Sequence, residues 1–158
     1  MRLLRVQTGE EFEAEIRRVK VDELSEIDAS GRFGFEWKRE RGNEVYKINL
    51  KNETEILGLV SLIDIPREMR IHINLLELES SHIGKKKKLD WIAGCLLAYA
   101  ANTAFEKGYE GFVSLFPKTE LIDVYVNKYG FAKLGIYHFV DGQVSVNLIS
   151  KYLKHEIR

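Results

Sequence analysis

The stretch over residues 82–108 combines charge and helical spacing in a way that could bind a phosphate. It contains Gly84 and the lysines at 85–88, and it then becomes apolar at intervals of three and four residues. Asp90 is placed to cap a helix that ends at Gly108, because a left-handed glycine commonly terminates a helix. The first amide groups of a helix lack partners and carry partial positive charge, so they bind anions. The alternative is that the lysines form only a solvated turn.

Strand-like segments precede this helix. Residues 70–80 predict a strand, and a phase change at Leu75 and Leu76 predicts a bulge within it. Apolar and polar residues alternate over further segments, and we expect strands at 3–7, 33–37, 45–50 and 56–65. Near the N-terminus, the capping-box spacing of Thr8 and Glu11 predicts a helix that buries Phe12, Ile16 and Val19. Residues 20–33 predict a loop or a short second helix.

The segments after the helix predict alternating strands and helices. Residues 109–116 suit a buried strand, and Thr119 is placed to cap a second helix that ends at Gly130. Residues 131–140 predict one or two strands bent at Gly135, and 143–155 predict a helix at the end of the chain. This order predicts an α/β (α+β) fold, with a mixed, mostly antiparallel central sheet and helices on both faces.

The composition describes an ordinary globular chain. Of 158 residues, 45% are hydrophobic and 30% are charged, so we expect one domain over residues 1–158. Basic and acidic residues number 24 each, so no global field favours nucleic acid or an acidic membrane as a partner. The single cysteine, Cys95, fits a reducing compartment. No signal peptide or membrane-spanning run is apparent, which predicts a cytoplasmic location. No pair of histidines, cysteines or carboxylates has the spacing of metal ligands, so we predict no metal site.

The chain resembles the GNAT superfamily of N-acetyltransferases, most clearly over residues 56–131. The family's pyrophosphate loop places a basic residue, a glycine and a small residue at fixed spacing, and Lys88, Trp91 and Ala93 occupy those positions here. Trp91 replaces the middle glycine, which is a departure from the family pattern. The sequence FEKGYEGFVSL resembles the family's helix end and fifth strand, and VNKYGF resembles the ending of its next helix.

The resemblance implies acetyl-CoA as the cofactor and a small-molecule or peptide amine as the acceptor. The amine would attack the thioester directly, without a covalent enzyme intermediate. The residues expected to bind the cofactor lie at the end of the strand, in the basic loop, on the first helical turn and at the second helix: Leu78, Lys86, Lys88, Leu89, Trp91, Ile92, Ala93, Gly94 and Thr119. Thr119 stands where the family commonly has an asparagine facing the CoA arm.

Such chemistry needs a base for the ammonium and an acid for the departing thiolate. Glu77 is the predicted base, with Glu79 and His72 as weaker candidates on the same strand. The family's usual tyrosine acid lies four residues before the glycine of the G-F ending, which here is Val126. Tyr125 is adjacent, and a shift of one residue in this helix would bring it into place, so Tyr125 is the predicted acid.

Two other functions remain open from the sequence. The replaced motif glycine and the absent tyrosine fit a non-catalytic GNAT-like module that binds CoA or regulates a partner. The basic run at 85–88 would fit a protein that acts on charged tRNA, but the balanced charge argues against nucleic acid. Neither the acceptor nor the oligomeric state can be inferred from the sequence.

Overall fold

The structure, a computed structural model, describes residues 1–153. Within them the strands are β1 (Arg2–Arg5), β2 (Glu11–Arg18), β3 (Glu44–Leu50), β4 (Gly58–Ile65), β5 (Arg70–Leu78), β6 (Leu89–Asp90), β7 (Val113–Leu115), β8 (Ala132–Leu134) and β9 (Tyr137–Val140). The α-helices are α1 (Val21–Ala29), α2 (Ile92–Glu106) and α3 (Gly142–Tyr152). A π-helix spans Val124–Lys128, and short 3₁₀ turns include Trp37–Glu40 and Thr119–Leu121.

The strands of residues 1–153 are hydrogen-bonded in the order β6-β1-β2-β3-β4-β5-β7-β9-β8. The β5–β7 pair is parallel, whereas β1–β2, β1–β6, β2–β3, β7–β9 and β8–β9 are antiparallel. The parallel pair is connected through α2, as a strand–helix–strand crossover requires. The predicted mixed, mostly antiparallel α/β sheet is therefore confirmed.

The chain divides into two compact units, each assembled from separate segments. Unit 1 holds Met1–Ser61 and Leu75–Leu96, and its core gathers buried residues from α1, the 3₁₀ turn, β3 and β4: Val19, Leu24, Ile27, Phe33, Trp37, Val45 and Leu59. Unit 2 holds Leu62–Asn74 and the chain from Leu97 onwards, with buried apolar residues on β7, β9 and α3: Val113, Leu115, Val140, Leu148 and Ile149.

The N-terminal helix predicted from the Thr8–Glu11 spacing is wrong, because residues 11–18 form β2. Phe12, Ala14 and Ile16 alternate with glutamates, and this period of two suits a strand that pairs on both edges, with β1 and β3. Thr8 accepts a hydrogen bond from the Glu10 amide at 3.2 Å, so it stabilises a turn instead of a helix. The short second helix expected within 20–33 is confirmed as α1.

The strand predicted over 33–37 is also wrong. The carboxylate of Asp28 accepts hydrogen bonds from the Trp37 amide at 2.8 Å and the Lys38 amide at 3.1 Å, and the chain turns into the 3₁₀ segment. Side-chain carboxylates thus satisfy amide groups that a strand would have paired with a neighbour. The strands expected at 45–50, 56–65 and 70–80 are confirmed as β3, β4 and β5.

The segment predicted as a second capped helix is helical, but its details differ. Lys118 is the residue that precedes the helix, and no side chain caps it, so the prediction that Thr119 is the cap is wrong. The bend at Gly135 between β8 and β9 is confirmed, with φ +60°. The C-terminal helix is confirmed as α3, and the part predicted over 154–155 lies outside the described residues. No helix within residues 1–153 is both long and apolar enough to cross a membrane.

Candidate functional site

The segment that joins β5 to α2 is held in place by its own hydrogen bonds. The Lys88 amide donates to the Ser81 carbonyl at 3.0 Å, and the Leu89 amide donates to His82 Nδ1 at 3.3 Å. Leu89 then pairs with Arg5 as part of β6. The Trp91 amide donates to the Asp90 carboxylate at 2.8 Å. We name the backbone N–H groups of residues 88–94, predicted to bind the pyrophosphate, the cradle. The N–H groups of Lys88, Leu89 and Trp91 already donate hydrogen bonds within the protein.

The amides at the start of α2 remain as the anion-binding part of that cradle. The first intrahelical bond runs from the Cys95 amide to the Trp91 carbonyl, at 2.9 Å. Ile92, Ala93 and Gly94 precede that bond, so their N–H groups have no partner within the helix. The sequence predicted Asp90 as the cap of this helix. Because the helix begins at Ile92, the cap position is Trp91 instead.

Trp91 adopts a backbone conformation that is rare for a residue with a side chain. Its φ is +78°, in the left-handed region that favours glycine. Gly58 packs beneath this turn, where an added Cβ would lie 2.9 Å from Ile92 Cγ2 and 3.2 Å from Leu78 Cδ2. The predicted residues Leu78 and Ile92 are therefore neighbours.

The predicted residues Lys86 and Lys88 lie elsewhere in unit 1, along a cleft of about 620 Å³. We name it the basic cleft. Its lining comes from 5–7, 81–82 and 85–89 together with Leu50, Glu53, Glu55 and Leu57. No residue of α2 is among its lining residues. The lysine side chains and the α2 amides therefore do not line the same cavity, and Leu89 is the predicted cofactor residue that the cleft also includes.

The predicted base, Glu77, anchors a neighbouring segment through its carboxylate. It accepts hydrogen bonds from the Gly34 amide at 2.5 Å, the Phe35 amide at 3.1 Å and the Trp37 Nε1–H at 2.9 Å. These three N–H donors fix the orientation of a half-buried carboxylate on β5. The sequence pattern identified Glu77 but not its partners, because Gly34 and Trp37 had been assigned to a strand.

The other predicted carboxylate on this strand has a different environment. Burial acts to raise the pKa of Glu79, but hydrogen bonds from the Ser81 side chain and backbone and from Ser80 outweigh it, so the pKa lies below its ordinary value. Burial lowers the pKa of His82, and the nearby Glu79 carboxylate only partly offsets this. His82 is therefore neutral at pH 7, which leaves its Nδ1 free to accept the Leu89 amide proton.

The predicted acid, Tyr125, belongs to the π-helix at Val124–Lys128 in unit 2. A π-turn takes up one more residue than an α-turn. The Tyr125 prediction requires a shift of one residue in this helix, and a π-turn is the kind of distortion that produces one. Its ring packs edge-on against Phe131, with the centroids 5.4 Å apart. Burial raises the pKa of Tyr125, so the phenol remains protonated at neutral pH.

The remaining residues assigned by the family pattern are exposed. Val126 is 38% exposed, and Thr119 lies on the surface in the 3₁₀ turn at Thr119–Leu121. The β5–β7 ladder runs from Ile71–Val113 to Ile73–Leu115 and then ends, although β5 continues to Leu78. Beyond Ile73, the edge of β5 that faces β7 is therefore not paired with β7.

A buried polar network in unit 2 was not predicted. Arg70 donates to the Ser114 hydroxyl at 2.5 Å and to the Tyr137 hydroxyl at 3.2 Å, and His72 Nδ1 lies 2.9 Å from the Ser114 oxygen. Burial, and then the Arg70 guanidinium, lower the pKa of His72. The guanidinium also pairs with the Glu68 carboxylate at 2.6 Å. His72 is therefore a neutral member of a satisfied network, which its sequence position alone could not show.

Comparison with known proteins identifies the fold. No family model and no curated protein matches the sequence. A chimera of the spermidine N-acetyltransferase SpeG from Vibrio cholerae and hSSAT has a TM-score of 0.63 at 12% identity, over 85% of this chain and 99% of that chain. Diaminobutyrate acetyltransferase EctA from Paenibacillus lautus, solved with its substrate and coenzyme A, has 0.53 at 15% identity, over 84% and 96%.

A third similar structure is nourseothricin acetyltransferase, with a TM-score of 0.52 at 15% identity, over 63% of this chain and 65% of that chain. The chain thus spans about two thirds of the length of that protein. These likenesses, together with the mixed sheet and its β5–α2–β7 crossover, show that the chain has the fold of the GNAT N-acetyltransferases.

Proposed function

We propose that the protein is an N-acyltransferase that moves the acetyl group of acetyl-CoA to an amine of a small molecule or peptide. The observation that carries this proposal is the unpartnered start of α2, behind a left-handed residue at the motif position and on a GNAT fold. The N–H groups of Ile92, Ala93 and Gly94 and the helix dipole fit a pyrophosphate. Acetyl-CoA, when bound, supplies a thioester carbonyl that an amine can attack.

The residues of the chain would each contribute a separate step. The edge of β5 beyond Ile73 offers backbone N–H groups to the carbonyl oxygen, where negative charge develops. The carboxylate of Glu77, oriented by its three N–H donors, accepts the proton that the substrate ammonium loses to become the neutral, attacking amine. Tyr125 donates its phenolic proton to the thiolate that leaves as the C–S bond breaks and the C–N bond forms.

The remaining residues predicted from the family pattern fit the same proposal. Leu78 packs against Ile92 beneath the cradle, and Trp91 sets the turn that aims the amides. Thr119, on an exposed 3₁₀ turn, is proposed to contact the CoA arm as the family's asparagine does. Lys86 and Lys88 supply positive charge near the loop, and Leu89 holds the loop against β1. A cytoplasmic location is proposed because the chain has a single cysteine, the buried Cys95, and so has no disulfide of its own.

The proposal is tested by calorimetric titration with acetyl-CoA, CoA and desulfo-CoA, followed by a thiol-release assay. Spermidine, 2,4-diaminobutyric acid and a peptide with a free N-terminus serve as acceptors. We expect binding of all three cofactor forms and thiol release with at least one acceptor. Binding without release from any amine would favour the non-catalytic CoA module, and the absence of binding would contradict both functions.

The position of the cradle is tested with Gly94→Pro and a matched control. Proline removes an N–H group from the first turn of α2, a position where proline is compatible with helical geometry. We expect the folded variant to lose most of its affinity for CoA. Gly42→Pro, which alters an exposed loop outside the cradle, serves as the control and should leave the affinity unchanged. Tight binding by a folded Gly94→Pro protein would show that the phosphate is held elsewhere.

A further inference from the structure

The basic cleft has the dimensions of a ligand site and is separate from the α2 amides proposed to bind the CoA pyrophosphate. Its volume of about 620 Å³ lies within the range typical of small-molecule pockets. Its walls come from the β1–β2 turn, the β3–β4 loop and the 81–89 segment, all within unit 1. None of the amides assigned to the CoA pyrophosphate line it.

Two of the three segments that line this cleft carry cations that form no ion pair. Within residues 1–153, Arg5, Lys85, Lys86 and Lys88 form no salt bridge, whereas Lys87 is paired with Asp90 at 3.2 Å. The third segment carries the carboxylates Glu53 and Glu55, and Glu55 is paired with Arg32 at 3.1 Å. The chain as a whole has a formal charge of zero, so this concentration does not follow from composition. Several ammonium groups converging on one cavity favour phosphate groups.

Hydrogen bonds hold the two segments that carry these cations. The Val6 amide donates to the Lys88 carbonyl at 3.0 Å, and the Lys88 amide donates to the Ser81 carbonyl at 3.0 Å. His82 is 7% exposed and accepts a hydrogen bond from the Leu89 amide, which fixes the 81–89 segment internally. The cleft is therefore formed before any ligand arrives, which reduces the entropy cost of binding.

The lining also restricts the rest of the ligand. Leu57 and Leu89, which are 4% and 7% exposed, are apolar residues of the lining. Glu53, also in the lining, can accept a hydrogen bond from a donor such as an amino group. We propose that the basic cleft binds a small phosphorylated molecule of nucleotide size, with its phosphates on Arg5 and the lysines and its donor-bearing ring towards Glu53.

The test is direct calorimetric binding of adenosine 3′,5′-bisphosphate, ATP and pyrophosphate to the full chain. We expect at least one to bind, and the double variant Lys85→Glu/Lys88→Glu to weaken that binding by about tenfold or more through charge reversal. Lys133→Glu/Lys151→Glu is the matched control, because it changes the net charge equally at exposed positions outside the cleft. Equal weakening in both variants, or no binding of any probe by the wild-type protein, would overturn the proposal.

Competition with CoA keeps this proposal distinct from the acyl transfer. Retention of the bound probe in saturating CoA would support a separate ligand in the cleft. Displacement of the probe by CoA would assign the lysines to the cofactor of the acyl transfer and would overturn the separate site. Lys86→Ala, the smaller change, repeats the comparison should the double variant unfold. An RNA oligonucleotide that binds more tightly than any nucleotide, and whose binding is lost in Lys85→Glu/Lys88→Glu, would contradict a small-molecule site.

Discussion

At the scale of single residues, Trp91 stands in a backbone conformation that is rare for a residue with a side chain. The family that the sequence resembles has glycine at this position, so Trp91 departs from the family pattern. The structure gives it a φ of +78°, which is the conformation for which glycine is normally required. A left-handed conformation costs a residue with a Cβ about 1–2 kcal/mol. The loop therefore maintains its path at the expense of local strain.

This strain can be measured by comparing Trp91→Gly with Trp91→Ala. Both variants lose the half-buried indole, so the difference between them reports the backbone alone. We expect the glycine variant to be more stable than the alanine variant by about 1 kcal/mol, since only alanine retains the left-handed penalty. Urea denaturation of the two proteins provides the measurement. A more stable alanine variant would show that residue 91 has negative φ in solution.

Glu77 raises a second point at the residue scale, because the carboxylate proposed as the base also anchors the segment at 34–37. Replacing it with glutamine turns one acceptor into a donor that faces N–H groups. We expect Glu77→Gln to lower the free energy of unfolding by about 1–3 kcal/mol, the range for leaving buried donors unsatisfied. Glu36→Gln, at a 68% exposed side chain in the same segment, should change it by less than about 1 kcal/mol.

Turnover distinguishes the two roles of Glu77. Trp37→Phe removes one donor and leaves the carboxylate, so it disturbs the anchor without removing the base. If Glu77 is the base, kcat falls in Glu77→Gln well beyond any fall in Trp37→Phe, when both are measured on folded protein. Equal kcat values in the two variants would leave Glu77 with a positioning role alone.

At the scale of elements, the errors of sequence reading have identifiable physical origins. The residues of β2 satisfy both a helical interval and strict alternation, and the strand prevails because β1 and β3 pair with it on either edge. The segment at 33–37 alternates like a strand, yet the carboxylates of Asp28 and Glu77 take its amides. Side-chain acceptors from distant positions are not visible in local periodicity. Most helices and strands from residue 44 onwards were predictable because their apolar runs agree with their burial, whereas β6 and the π-helix at Val124–Lys128 were not predicted.

The π-helix at Val124–Lys128 is the element on which the predicted acid depends. Sequence alignment places Val126 at the family's tyrosine position, and the Tyr125 prediction requires a shift of one residue in this helix. A π-turn takes up one more residue than an α-turn, so it is the kind of distortion that such a shift requires. It begins at Val124, and no proline or glycine within Val124–Lys128 marks it in the sequence.

This register is tested by moving the hydroxyl group by one position. We expect Tyr125→Phe to reduce acyl transfer by about 10²-fold without changing CoA affinity, as loss of a general acid does. In the double variant Tyr125→Phe/Val126→Tyr the new tyrosine projects from the exposed side of the helix, so activity should not return. Restored thiol release in the double variant would show that the strict alignment is correct and the π-turn is not maintained.

At the scale of the whole molecule, the sequence supports one domain, whereas the contacts define two compact units. The unit boundaries, at 61/62, 74/75 and 96/97, fall within β4, β5 and α2, none of which contains a break in its hydrogen-bonded run. Because each unit consists of separate chain segments, unfolding one of them requires these elements to be interrupted. We therefore expect one cooperative unfolding transition for the full chain.

The two tryptophans, Trp37 and Trp91, both belong to unit 1, so their fluorescence reports that unit alone. Far-ultraviolet circular dichroism reports all three α-helices, of which α3 belongs to unit 2. In a urea titration the two signals should give the same midpoint and the same dependence of unfolding free energy on denaturant, because a two-state chain loses all its structure together. A fluorescence midpoint that precedes or follows the dichroism midpoint would show that the units unfold separately, and that the single domain inferred from the sequence consists of two folding units.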